Sequence, residues 1–367
     1  MPSLKVILSG GGTGGHIFPA IAIADALKEM NPDIEILFVG AQGRMEMEKV
    51  PASGYNIQGL WISGFQRTLS LKNLLFPFKV IQSLLDAKKI VKKFKPDAVI
   101  GTGGYASGPV LWVSSRMGIP CLIQEQNSYA GVTNKILGKK VKKVCVAFEG
   151  METFFPKEKI VITGNPVREE VVQIGGKRDK AIEFFGLDTS KKTILVVGGS
   201  LGAKAINDSL LPHIKDISDS GLQIVWQTGK VSYDEIYSAA KKYENKGIKV
   251  HQFITKMDLA YAAADVVISR AGAIAVSEIC LTEKPCILVP LPTAAEDHQT
   301  KNAEALARHD AAIIVKNSEA PEKLYDAVTS LLSNEAELNK FRTNIKAIGK
   351  PDSAKTIANE VLKMINI

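Results

Sequence analysis

The stretch from Ile268 to Gln299, ISRAGAIAVSEICLTEKPCILVPLPTAAEDHQ, decides how the rest of the chain is read. With the preceding Asp265-Val266-Val267, Ile268 completes an apolar run that reads as a buried parallel strand. Ser269-Arg270-Ala271-Gly272 is a turn, and Ala273 to Leu281 carries helix formers at helical spacing. A strand, a tight turn and a helix start present backbone N–H groups at the positive end of a helix dipole, which holds a phosphate without a metal. Glu278 lies about two turns into that helix, where its carboxylate can accept from both hydroxyls of a ribose. A second apolar strand, Cys286 to Val289, leads to a polar turn ending Glu296-Asp297-His298-Gln299. Two strand ends and a helix start around one crevice mark the ligand position of an open α/β sheet. Taken alone, the pattern fits any Rossmann-like βαβ unit.

At 367 residues the default is two domains. A hydrophobic content of 46% with 23% charged residues is that of a soluble globular protein. No apolar run reaches the ~18 residues of a membrane span. The N-terminus goes straight into a strand and glycines, unlike a signal peptide. Cys121, Cys145, Cys280 and Cys286 lie in apolar runs without a CxxC pair, so reduced core cysteines of a cytoplasmic protein are expected, not a zinc site or disulfides. The net charge of +8 is one-sided: residues up to Gly164 hold 20 Lys and Arg against 12 Asp and Glu, and the remainder holds 26 against 26. Such a field implies an anionic partner, nucleic acid or an anionic membrane, with a solvated lysine surface as the alternative.

In the first half, a strand ending at Ser9 enters Gly10-Gly11-Gly12-Thr13-Gly14-Gly15-His16, followed by a helix predicted from about Pro19 to Met30. The glycines fit GxGxxG, but the second strand, Ile34 to Val39, lacks the acid at its tip that binding of NAD requires, which disfavours an NAD-dependent oxidoreductase. His16 stands at a helix start, which favours the neutral imidazole of a general base; a cap or loop hydrogen bond is the other reading. Between Leu69 and Pro96, seven lysines, among them Lys72 and Lys79, are interleaved with Leu74, Leu75, Phe76 and Phe78, which suits a helix pressed on an anionic bilayer. Phe78, Ile81 and Leu85 of the same helix have the spacing of a core stripe. No nucleic-acid motif is present. Gly101-Thr102-Gly103-Gly104-Tyr105-Ala106-Ser107-Gly108 is a second glycine-rich strand-to-helix turn, and two such loops make a diphosphate site more credible than one. The strand from Cys121 to Gln124 ends in Glu125-Gln126-Asn127, whose amides either orient a ligand hydroxyl or stabilise a tight turn.

Gly164-Asn165-Pro166 reads as the hinge. Beyond it Thr193 to Val197 enters Gly198-Gly199-Ser200-Leu201-Gly202-Ala203, so the second domain repeats the strand, glycine turn and helix of the first. After the Pro351-Asp352-Ser353 break, Ile357, Val361, Met364 and Ile365 form one apolar helix stripe, and this helix is expected to cross back to the first domain. The expected organisation is an N-terminal domain over 1–164 with about 350–367 added, and a C-terminal domain over 165–349. It is α/β, with two Rossmann-like domains facing each other across a cleft.

In order along the chain, GGTGGHIFPAIAIA, GTGGYASGP, QEQNSYAGVTNKIL, TGNPVR, GGSLGA, HQFI and SRAGAIAVSE with DHQTKNA strongly resemble the MurG family of GT-B glycosyltransferases, family 28. The resemblance runs from about Lys5 to the C-terminus. It implies an inverting hexosyltransferase that moves GlcNAc from UDP-GlcNAc to the C4 hydroxyl of the MurNAc of lipid I (undecaprenyl-pyrophosphoryl-MurNAc-pentapeptide), giving lipid II for peptidoglycan. It also implies a peripheral position on the cytoplasmic face of the plasma membrane, with no cofactor or metal and no nucleic-acid partner. A related lipid glycosyltransferase with another acceptor, such as a diacylglycerol, is the alternative. By the same resemblance Ser200 and the Gly272-Ala273-Ile274 helix start would hold the donor diphosphate. Arg168 and the Ile254 backbone would hold uracil, Glu278 the ribose, and Gln299 and Asn127 the GlcNAc hydroxyls. Thr13, Gly14 and Gly15 would lie by the donor with His16 as base. Gly12, Gly103, Gly104, Tyr105 and Ser107 would receive the acceptor diphosphate. Gln124 and His298 stand where the family often has His and Gln.

Overall fold

Every strand pairing in the computed structural model, which describes residues 3–64 and 76–365, is parallel. The chain forms two compact units: residues up to Val167 together with those from Pro351 onward, and Arg168–Lys350. In the first, β1 (Lys5–Gly10), β2 (Glu35–Ala41), β3 (Asn56–Leu60), β4 (Ala98–Gly103), β5 (Cys121–Glu125), β6 (Lys143–Val146) and β7 (Ile160–Ile162) lie in the order β3-β2-β1-β4-β5-β6-β7. In the second, β8 (Thr193–Val197), β9 (Gln223–Gln227), β10 (Ile248–His251), β11 (Val266–Ser269), β12 (Cys286–Leu288) and β13 (Ile313–Ile314) lie in the order β10-β9-β8-β11-β12-β13. Central strands such as β4 and β11 are buried along their whole length, as parallel strands covered by helices on both faces must be.

Both sheets reverse their strand order once, between β1 and β4 and between β8 and β11. The glycine-rich turns after those four strands therefore flank the two switch points, where neighbouring loops diverge and leave a crevice. At the first switch point the β1–β4 register slips: Ser9 pairs with Gly101 and Gly10 with Gly103. Thr102 is thus an extra residue in β4, a bulge that turns its carbonyl out of the ladder.

One core cluster of the first unit unites β1, β2 and the Gly14–Met30 helix with Ile357, Ala358, Val361 and Met364 of the Ser353–Met364 helix. A Lys355–Glu29 pair at 2.8 Å and a hydrogen bond from Lys142 Nζ to the Met364 carbonyl (3.0 Å) fasten this last helix. All four cysteines are free and buried, and burial pushes the thiols of Cys121, Cys145 and Cys280 up to about 12, so they serve as small core residues.

Two local expectations are corrected. The first helix begins at Gly14, not near Pro19, because Thr13 in extended conformation accepts from the N–H groups of His16 and Ile17 and starts the turn. His16 therefore sits in the first helical turn. Phe78, Ile81 and Leu85 are not core: they are 67%, 57% and 51% exposed. The Phe76–Phe94 helix packs instead through the smaller Ser83, Ala87 and Val91, which let it approach the Ser107–Arg116 helix and leave the large apolar stripe outward. Lys72, Leu74 and Leu75 lie outside the described residues.

Ile357, fully buried, is the test of how much the last helix contributes. Ile357→Ala is expected to lower the stability of the first unit by about 2–5 kcal/mol, read as a lower urea midpoint with an unchanged slope.

Candidate active site

In the first unit the glycine loop after β1 is held from beneath by Glu46. Its buried carboxylate accepts from the Gly12 N–H (3.1 and 3.2 Å) and from the Ala41 N–H at the tip of β2 (3.0 Å). The acid missing from the β2 tip thus comes five positions later, and it anchors backbone. Gly104 closes the second loop onto the first: at φ +82° a Cβ there would lie 2.2 Å from the Gly11 carbonyl oxygen. Half-buried His16 stands between the loops, its Nδ1 2.9 Å from the Thr102 carbonyl oxygen and 3.1 Å from Gln126 Oε1. A carbonyl only accepts, so Nδ1 carries a proton and Nε2 of the neutral ring keeps its lone pair.

Around this pair of loops the sequence-predicted residues divide. Gly12 and Thr13 are exposed, and Gly14, Gly15 and Gly103 adjoin His16, while Tyr105 is 50% exposed over Gly64. Ser107 is buried, with its hydroxyl donating to the Gly104 carbonyl at 2.9 Å, so it shapes the loop from inside. Asn127 is tied to buried Glu125, whose Oε1 accepts from its backbone N–H (3.1 Å) and whose Oε2 accepts from Gly131 N–H and Asn134 Nδ2 at 3.0 and 2.8 Å.

In the second unit the loop after β8 exposes Ser200, while Gly202, at φ +94°, backs onto the Thr228 carbonyl oxygen, 2.3 Å from where a Cβ would be. The turn after β11 leads into the Ala273–Leu281 helix with Gly272 as N-cap, which has no side chain to engage the first-turn N–H groups. The turn is braced on both sides. Arg270 Nη1 donates to the Val289 carbonyl and to Asn317 Oδ1 at 3.0 and 2.8 Å, and Asn302 Nδ2 donates to the Ala271 carbonyl at 3.1 Å. Gln299 Oε1 accepts from the Leu291 N–H at 2.9 Å, so the amide offers a ligand its Nε2 donors. The Ile254 N–H donates to Gln227 Oε1 at 2.9 Å, which leaves the carbonyl as what Ile254 can offer a base.

Glu278 is partly buried, accepts from Tyr261 Oη at 3.1 Å and feels Arg168. Burial raises its carboxyl to about 6, against a smaller opposing pull from the Tyr261 hydrogen bond and Arg168. Ser200, Arg168, Ile254, Gly272, Ala273, Ile274, Glu278 and Gln299 therefore belong to one unit. Thr13, Gly14, Gly15, His16 and Asn127 belong to the other.

Residues 6–146 match the glycosyltransferase family 28 N-terminal domain and residues 193–357 its C-terminal domain. Curated relatives are 53% identical in Christiangramia forsetii, over 99% of this chain and 98% of the relative, and 55% identical in Cytophaga hutchinsonii, over 99% and 97%. The chain belongs to the MurG family of glycosyltransferase family 28. Both relatives carry the name UDP-N-acetylglucosamine--N-acetylmuramyl-(pentapeptide) pyrophosphoryl-undecaprenol N-acetylglucosamine transferase. The crystal structure of Acinetobacter baumannii MurG is 31% identical and superposes with a TM-score of 0.81, covering 98% of this chain and 99% of that one. The two-domain α/β architecture is the GT-B fold.

Sequence reasoning passed over Glu46 and Tyr261, and it placed Thr102 in a glycine turn and Asn165 in the hinge without the contacts they make. An acid that holds backbone from beneath carries no local motif, and only the register slip in β4 reveals what the Thr102 carbonyl does.

The raised Glu278 carboxyl has a definite sign. A folded carboxyl near 6, against an ordinary 4.5, binds its proton more tightly in the folded chain, so stability is lost as pH rises between those values. Glu278→Gln is expected to stabilise the second unit at pH 7.5 by about 1–2 kcal/mol, raising its melting temperature by several degrees. With Glu278 as the expected acceptor of a nucleotide diol, the same change should weaken binding of such a nucleotide by about tenfold. In the parent protein the affinity is then expected to fall as pH drops below about 6, a step that calorimetric titrations of the variant should lack.

Proposed function

We propose that the protein transfers N-acetylglucosamine from UDP-N-acetylglucosamine to the C4 hydroxyl of the N-acetylmuramoyl residue of undecaprenyl-diphosphate-linked MurNAc-pentapeptide, with inversion at the anomeric carbon. Membership of the MurG family carries the choice of substrates. The observation that supports the chemistry is the orientation of His16, whose Nδ1 is held by the Thr102 carbonyl while Nε2 keeps its lone pair.

In this reading the Gly272–Ala273–Ile274 helix start and the Ser200 loop stabilise the diphosphate as it departs, peptide dipoles doing what a metal does elsewhere. Glu278 accepts from the ribose hydroxyls. The Ile254 carbonyl suits the N3–H of uracil, with Arg168 alongside. Gln299 Nε2 and Asn127 address the sugar hydroxyls. Gly12, Gly103, Gly104 and Tyr105 face the acceptor diphosphate, with the dipole of the Gly14–Met30 helix behind them. As the acceptor oxygen bonds to the anomeric carbon and the bond to UDP breaks, its proton passes to His16 Nε2.

The acceptor is lipid-tethered, and the Phe76–Phe94 helix supplies a matching surface. Phe78, Ile81 and Leu85 point outward beside exposed Lys88, Lys89, Lys92 and Lys93. Lys79 is engaged with Ser63 Oγ at 3.1 Å and lies 5.5 Å from the Trp61 ring. Exposed Val132 and Ile136 belong to the Val132–Gly138 helix, which adjoins the Ser107–Arg116 helix on the same layer. No helix among the described residues is long and apolar enough to cross a membrane. The exposed stripe and its lysines support contact at the bilayer surface, proposed on the cytoplasmic leaflet.

Incubating radiolabelled UDP-N-acetylglucosamine with lipid I should give labelled lipid II; transfer only to diacylglycerol would overturn the choice of acceptor. His16→Ala is expected to lower kcat by about 10²–10⁴-fold with donor Kd unchanged. Replacing Phe78, Ile81 and Leu85 by serine should reduce sedimentation with anionic vesicles by about tenfold or more, without affecting turnover of a short-chain soluble acceptor.

A further inference from the structure

His16 is held through one ring nitrogen, and behind that nitrogen lies a chain of three buried side-chain amides whose directions are all fixed. Asn165 Nδ2 donates to the Gln126 backbone carbonyl at 2.9 Å, which turns its Oδ1 toward Gln124. Gln124 Nε2 donates to that oxygen at 2.9 Å, and Gln124 Oε1 accepts a short bond from Gln126 Nε2. The same Gln126 Nε2 lies 2.7 Å from the Thr102 carbonyl oxygen and 3.2 Å from that of Gln124. Gln126 Oε1 is therefore the atom left facing His16 Nδ1, at 3.1 Å. Gln124, Gln126 and Asn165 are each no more than 2% exposed, so water does not compete for these bonds. Reversing the Gln126 amide would set its oxygen against three others, the Thr102 and Gln124 backbone carbonyls and Gln124 Oε1, and remove the donor they share, a costly arrangement in a dry interior.

We infer that Asn165, Gln124 and Gln126 form a positioning relay that reinforces the Thr102 carbonyl in holding His16 as the Nδ1–H tautomer and so keeps the Nε2 lone pair available. Its catalytic consequence rests on His16 being the base proposed above; the tautomer itself does not. When Nε2 takes the acceptor proton the ring becomes an imidazolium, whose Nδ1–H stays bonded to Gln126 Oε1 and the Thr102 carbonyl. Nε2 then returns its proton to solvent. A relay element at position 124 needs one N–H and one acceptor. Glutamine supplies both, and so does a neutral histidine, whereas methionine supplies no donor and only a weakly accepting sulfur.

The test uses the full chain labelled with ¹⁵N-histidine, with the His16 resonances assigned by their loss in His16→Gln. At a pH where the ring is neutral, the wild-type spectrum should show a protonated Nδ1 and a pyridine-type Nε2; a protonated Nε2 would overturn the inference outright. Gln126→Met leaves the Thr102 carbonyl as the one acceptor at Nδ1, so it should weaken this preference to a measurable share of Nε2–H ring and lower kcat by about tenfold to a hundredfold, with KM for UDP-N-acetylglucosamine unchanged. Gln124→Met should give a smaller loss of the same kind, and Gln124→His should restore both tautomer and kcat. An Nδ1–H population unchanged in Gln126→Met, or in Gln124→Met should the first variant not fold, refutes the relay. A tautomer that changes while kcat does not would uphold the relay and remove His16 as the base.

Discussion

Gly104 lies against the carbonyl oxygen of Gly11 more closely than any side chain would permit, and the first unit's chemistry is arranged around that contact. It joins the turns of the two strands that flank a reversal of strand order, where a parallel sheet opens a crevice without further help. With the loops pinned together, His16 has a fixed place between them, and the Thr102 bulge can present a carbonyl to its ring. Glu46 performs the same service from below, since a buried carboxylate that binds two backbone N–H groups cannot leave without stranding them. The second unit repeats the plan with different parts: Gly202 against Thr228, and Arg270 and Asn302 bracing the turn after β11.

Much of the fold was legible because parallel strands are buried on both faces and show as unbroken apolar runs such as Val266 to Ile268, each followed by a glycine turn. The helix start at Gly272 and the carboxylate of Glu278 were legible for the same reason: both are local and follow from a strand–turn–helix pattern. What escaped was whatever depends on partners distant in sequence. Phe78, Ile81 and Leu85 have the period of a buried stripe, yet the face that packs is the one of small residues, because close helix approach favours Ser83 and Ala87 over bulk. Periodicity reports that a helix has an apolar face, not which of two such faces meets the sheet.

The amides behind His16 were hidden for a related reason. Gln124 and Gln126 lie inside a motif, QEQNSYAGVTNKIL, but their meaning arises from Asn165, about forty positions on, and from a carbonyl exposed by a register slip. A glutamine in a strand-end loop reads as a ligand contact or a turn stabiliser. Only the directions of four successive donors distinguish a relay from either. The raised carboxyl of Glu278 is a similar case: burial beside Tyr261, which no local pattern announces, makes it a poorer contributor to folding at neutral pH.

The Ser353–Met364 helix carries a consequence for how the molecule comes into being. Its Ile357, Val361 and Met364 complete the core against the Gly14–Met30 helix, which precedes the whole second unit in sequence. On the ribosome the leading unit must wait, its apolar helix surface uncovered, while the whole of the trailing unit is translated and free to fold. The core of the first half is thus closed by a helix made after the second half, and a segment late in the sequence seals one of the earliest.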